Sequence, residues 1–147
     1  MTAPSRTEQP TLHDVLGAPL PPAPAYGSNS IADVLESASS LVAQRSLARP
    51  AHALDSDPAF NSVADPLNLA GRLTEQDIDP ASFRHACVVM VDGLGEQLIN
   101  SYGGYAPSLR KTLNLGPLDA AFPTTTAASL TSLGTGTAPG AHGIAGY

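Results

Sequence analysis

The sequence holds a single cysteine, no tryptophan, three phenylalanines and four tyrosines. One cysteine excludes an internal disulfide and any CxxC zinc motif. Basic side chains are also scarce, 7 against 13 acidic ones for a net charge of −6, so a phosphate-neutralising basic face is absent and no nucleic-acid polymer is expected as a partner. No apolar stretch approaches the roughly 20 residues that a membrane helix needs, so no membrane partner is expected. The opening Met1-Thr-Ala-Pro-Ser-Arg-Thr-Glu lacks the basic and apolar regions of a secretory signal, which makes cytoplasmic residence the expectation.

Proline, by contrast, is plentiful. Pro19, Pro21, Pro22 and Pro24 crowd residues 1–29, and proline neither donates to a ladder nor leaves its predecessor free, so this segment reads as a disordered lead-in. Residues 30–147 read as one folded unit. Its first element is a helix over about 31–45, with Ser30 as cap, Asp33 reaching back at S-x-x-D spacing, and Ile31, Val34, Leu35, Ala38, Leu41 and Val42 recurring at helical intervals. Pro50, Pro58, Pro66 and Pro80 leave room only for short or irregular pieces between residues 46 and 82.

From Ala86 to Val91 stand six apolar residues without alternation, the pattern of a strand buried on both faces; Cys87 within it reads as a buried, inert thiol. Short helices are expected at 96–101 and 107–113, the latter with Pro107 in its first turn. A second strand is expected at 118–122, then a helix from about Thr125 to Leu133 stopped by Gly134 and Gly136. Strand, helix, strand, helix at these lengths gives an α/β parallel sheet sandwiched by helices, whose ligands collect at the carboxyl ends of the strands. Asp92 and the cluster Thr124-Thr125-Thr126 fall on that edge.

A carboxylate at a strand exit can hold a cation. A threonine hydroxyl is a weak nucleophile that a dication can activate, and helix N–H groups beside it can bind phosphate oxygens. These residues also have plainer readings: Asp92 as a turn former before Gly93, and Thr126 as a cap or first-turn residue, since Thr124 and Thr125 can cap as well. His142 reads as a loop histidine bonded to backbone, His13 and His52 as solvated, His85 as the strand entry, and Arg110 with Lys111 as a solvated helix face. Ser108-Leu-Arg-Lys111 has the S-x-x-K spacing without its companion motifs, and Gly134–Gly140 lacks the Lys-Ser/Thr of a P-loop.

Together, Val88-Val-Met-Val-Asp92-Gly-Leu-Gly, Ala106-Pro-Ser-Leu-Arg-Lys-Thr-Leu113, Phe122-Pro-Thr-Thr-Thr-Ala-Ala-Ser-Leu-Thr-Ser-Leu-Gly-Thr-Gly136 and Pro139-Gly-Ala-His-Gly-Ile-Ala-Gly-Tyr147 resemble the nucleotide pyrophosphatase/phosphodiesterase branch of the alkaline phosphatase superfamily. Ala25–Leu35 looks like the lead-in of bacterial members. The resemblance implies an alkaline phosphatase-like fold and two divalent metal ions, with zinc the expected element. It places a metal ligand on Asp92 and the nucleophile, itself a metal ligand, on Thr126, with Thr125 the neighbouring alternative. The family's asparagine after His-Gly aligns with Tyr147, and its other aspartate and histidine ligands have no counterpart here.

The favoured reading is therefore metal-dependent hydrolysis of phosphate diester or pyrophosphate bonds in a small-molecule substrate, through a threonyl phosphate. The sequence stops in a Gly-rich turn with its sheet incomplete, so residues 30–147 read as the N-terminal part of an alkaline phosphatase-like catalytic domain, expected to be inactive in isolation. The competing readings are a noncatalytic α/β binding module on the same scaffold and a related phosphatase or phosphonate hydrolase.

Overall fold

The computed structural model describes residue 17 and residues 22–47, 64–112 and 114–146. His13, His52, Tyr147, most of the proline-rich lead-in and Pro50 and Pro58 lie outside them.

Helix α1, Val34–Leu47, is entered through a 3-10 turn, Ile31–Asp33. The expected reach-back forms. The Asp33 carboxylate accepts the Ser30 N–H at 2.7 Å, the Ser30 hydroxyl at 2.8 Å and the Gly27 N–H at 2.9 Å, so its burial is matched by three donors. The buried stripe of α1 differs from the apolar one. Ser37, Ala38, Ser40 and Leu41 are buried while Leu35 is exposed, because small residues let the Leu67 segment approach until the Leu67 N–H reaches Ser37 Oγ at 3.0 Å.

Helix α2, Leu69–Thr74, starts where both oxygens of Asp65 accept backbone N–H groups, from Leu69 and Ala70 at 2.9 Å each. Together with a 3-10 turn at Pro80–Ser82 it packs on α1. Short helices follow at Glu96–Tyr102 (α3) and Pro107–Lys111 (α4), then α5, Thr126–Thr135, and α6, Pro139–His142. Gly134 sits inside α5, and Gly136, at φ 67°, ends it. That left-handed conformation costs glycine little. Helix α5 packs on the Ile31–Asp33 turn and on α6, and Ala32, Ala128 and Ser132 of these elements are buried, as is Ala121.

The sheet is where expectation and structure part. Among the described residues there is no strand, only one parallel bridge between Ser30 and Asp119. Asp119 donates its N–H to the Asn29 carbonyl and accepts that of Ile31, both at 2.9 Å. The chain then turns into the 3-10 helix at Ile31, which ends the pairing after one bridge. The same region holds residues 24–29. Ala25 N–H binds the Asp119 carboxylate at 2.8 Å, and Phe122 N–H binds the Tyr26 hydroxyl at 3.0 Å.

The expected strand at 86–91 has no pairing partner among the described residues and lies on the surface: Val88 is 39% exposed, Val89 77% and Val91 55%. A strand buried on both faces requires neighbours on each edge and cover on each face, and the described residues do not supply them. Cys87 is accordingly exposed, not buried. An open apolar cleft of about 570 Å³ separates this run from Leu118 and Ala120, with Ile31, Val34 and Leu133 among its other walls.

Candidate active site

Two local structures bring the threonine cluster and the aspartate together. The first is a turn over residues 91–94, closed by the Leu94 N–H to the Val91 carbonyl at 3.3 Å. Gly93 takes φ 71° there, the left-handed position that this turn requires. Asp92 is therefore a turn residue, as its plainer reading held. The turn also projects its carboxylate from the end of the apolar run.

The second is the mouth of α5. Thr125 is the N-cap, in extended conformation, and its hydroxyl oxygen accepts the Ala128 N–H at 3.2 Å. That hydroxyl also donates to the Ala145 carbonyl at 3.0 Å. Thr126 is the first helical residue. Its hydroxyl donates to Asp92, lying 3.3 Å from Oδ1 and 3.2 Å from Oδ2. The two side chains singled out from sequence thus meet across 34 positions of chain. Thr126 is half-buried and Asp92 exposed.

The neighbouring threonines consequently differ in what their hydroxyls can do. Thr125 has its proton and a lone pair engaged by backbone. Thr126 faces a carboxylate that can accept its proton. A helix leaves its first N–H groups without intrahelical partners; Thr125 satisfies that of Ala128, and those of Thr126 and Ala127 remain at the mouth, suited to an anion.

The oxygen spacing also suits a cation. Two oxygens each about 2.0–2.2 Å from one dication stand roughly 3.0–3.5 Å apart at octahedral to tetrahedral angles, and the Thr126 and Asp92 oxygens are 3.2–3.3 Å apart. A catalytic zinc usually takes three protein ligands. No group of three or more His, Cys, Asp or Glu among the described residues could hold a metal ion.

The remaining candidates lie apart from this pair. His142 is the last residue of α6 rather than a loop residue; it bonds to Ser132 Oγ through Nε2 at 2.9 Å, and its Nδ1 accepts the backbone N–H of Ile144 at 3.1 Å, the backbone bond that was expected. His85, Arg110 and Lys111 are exposed. The part of the site that sequence reasoning missed is the Ala145 carbonyl that engages Thr125. A backbone acceptor leaves no side-chain signature, although the glycines at 143 and 146 mark a tight return of the chain.

Residues 86–147, the segment carrying both Asp92 and Thr126, match the model of the family described as type I phosphodiesterase / nucleotide pyrophosphatase. The resemblance read from the motifs is thereby shown over this segment, and it supports a phosphoester hydrolase at the level of the family. No curated protein and no solved structure matches the chain. No helix among the described residues is long and apolar enough to cross a membrane.

Proposed function

We propose that this chain carries the nucleophile and one metal ligand of an enzyme that hydrolyses phosphate diester or pyrophosphate bonds in small molecules. The observation that carries the reading is the Thr126–Asp92 contact at the mouth of α5, inside the segment that matches the phosphodiesterase family.

In this reading Thr126 Oγ1 attacks phosphorus, and the bond to the leaving oxygen breaks in line with the attack. The N–H groups of Thr126 and Ala127 steady the phosphoryl oxygens as charge builds on them. Asp92 accepts the hydrogen bond of the threonine hydroxyl, orients it and takes its proton as Oγ1 attacks, and the leaving oxygen is protonated from solvent. Water then hydrolyses the threonyl phosphate, and the hydroxyl is restored. The family is generally metal-dependent, and a divalent ion on Asp92 and Thr126, zinc being the preferred element and a second ion completing the pair, would lower the pKa of the threonine hydroxyl and offset phosphate charge.

The test uses the intact gene product and bis(p-nitrophenyl) phosphate. Turnover is expected to vanish in excess chelator and to return with added zinc or another divalent ion. Undiminished turnover in chelator would exclude the metal-dependent reading; absence of turnover under every metal condition would favour the noncatalytic module.

A further inference from the structure

The hydrogen bonds behind Thr125 form a closed circuit that the proposed chemistry does not use. Thr125 Oγ1 donates to the Ala145 carbonyl at 3.0 Å. One residue before Ala145, the Ile144 N–H donates to His142 Nδ1 at 3.1 Å. Because Nδ1 is an acceptor there, the proton of the neutral ring sits on Nε2, which points at Ser132 Oγ at 2.9 Å. Ser132 is wholly buried and lies in α5 itself, so the circuit ends on the helix where it began.

The spacing makes this possible. Thr125 and Ser132 are seven residues apart, about two helical turns, and so share one face. A single loop can clip both. That loop turns at Gly143, φ 78°, and passes close over the cap: a side-chain carbon on Gly146 would meet Thr125 Cγ2 at 3.6 Å.

We propose that His142 is a positioning residue for Thr126: anchored on Ser132, it shapes the 143–146 return so that Ala145 keeps the Thr125 hydroxyl in its cap and Thr126 alone faces Asp92. This rests on Thr126 being the nucleophile. The circuit removes an ambiguity built into the sequence, where adjacent threonines can each cap or attack. With its proton given to Ala145 and its lone pair to the Ala128 N–H, Thr125 is committed to the cap. Without the loop, its proton has no fixed acceptor, the first turn of α5 loosens, and the Thr126 hydroxyl loses its fixed direction. A displacement near 1 Å at a reacting atom costs about a hundredfold in rate.

Three variants of the intact gene product test this: His142→Ala, His142→Asn and His142→Gln. Asparagine keeps an acceptor for the amide two residues on, as an Asx turn does, whereas glutamine reaches toward Ser132 instead. The readouts are kcat and KM on bis(p-nitrophenyl) phosphate with zinc, and hydrogen exchange of the Ala128 amide. His142→Ala should lower kcat about ten- to a hundredfold with KM within about threefold, and speed Ala128 exchange about fivefold, the factor a lost cap corresponds to. His142→Asn should restore both more fully than His142→Gln. Should His142→Ala fail to fold, the order of Asn and Gln still decides. Unchanged Ala128 exchange in a folded His142→Ala, or better rescue by glutamine, overturns the proposal. An inactive wild-type protein would sink the phosphodiesterase reading, while the exchange arm would still report on the circuit.

Discussion

The mouth of α5 and the run Ala86–Val91 are the two most informative regions of this molecule, and they are built in opposite ways. At the helix mouth the Thr125 hydroxyl has both a donor and an acceptor, and the next residue meets Asp92. Along the apolar run the valines are exposed and, among the described residues, without a pairing partner. A helix satisfies its backbone within itself and needs only a cap, so ten residues suffice to form α5. A strand's hydrogen bonds lie wholly in its neighbours, and six valine-rich residues cannot supply those. The site survives that difference because Asp92 is placed by a local turn at Gly93, not by a sheet register.

The largest effect expected at the helix mouth comes from Thr126→Ala, which should reduce turnover of a phosphodiester by at least about a thousandfold while changing stability by no more than about 0.5 kcal/mol, as befits a half-buried first-turn residue. Denaturant unfolding beside the rate assay separates the two. A variant that loses stability instead of turnover would make Thr126 a structural residue.

Asp33→Ala removes the acceptor of three donors from a buried position and should cost about 2–3 kcal/mol of unfolding free energy, read by denaturant titration. Thr125→Ala should cost about 1 kcal/mol as a lost cap, with a milder loss of turnover than Thr126→Ala. Reversal of the two threonine effects on turnover would move the nucleophile to Thr125.

The smallest effect sharpens the other side of the comparison. Val89, at 77% exposed, should accept lysine with a change of under about 0.5 kcal/mol. A loss of several kcal/mol in the intact gene product would mean that this run is covered there and that its sheet forms.

Much of the helical organisation was legible in the sequence because its signals are local. Ser30 with Asp33 announced α1, Pro107 opened α4, and Gly136 closed α5. The contact of Thr126 with Asp92 was foreshadowed by two motifs that each follow an expected strand, and the family match over 86–147 supports the same segment. What could not be read is what depends on distant partners. Burial of Ala86–Val91 requires strands that the run does not find among the described residues. Residues 24–29 looked like an unstructured lead-in by proline content, yet Ala25 and Tyr26 bond to Asp119 and Phe122, 94 and 96 positions away. Serine at 37, 40 and 132 gave no apolar signal, although these side chains fill the closest packing around α1 and α5.

The most direct test of the account is to quench the intact gene product during turnover of a phosphodiester with zinc present and to locate covalent phosphate by peptide mass spectrometry. Phosphate on Thr126, absent from Thr126→Ala and from enzyme quenched without substrate, is the predicted result. Phosphate on Thr125, or turnover with no phosphorylated threonine, would contradict it.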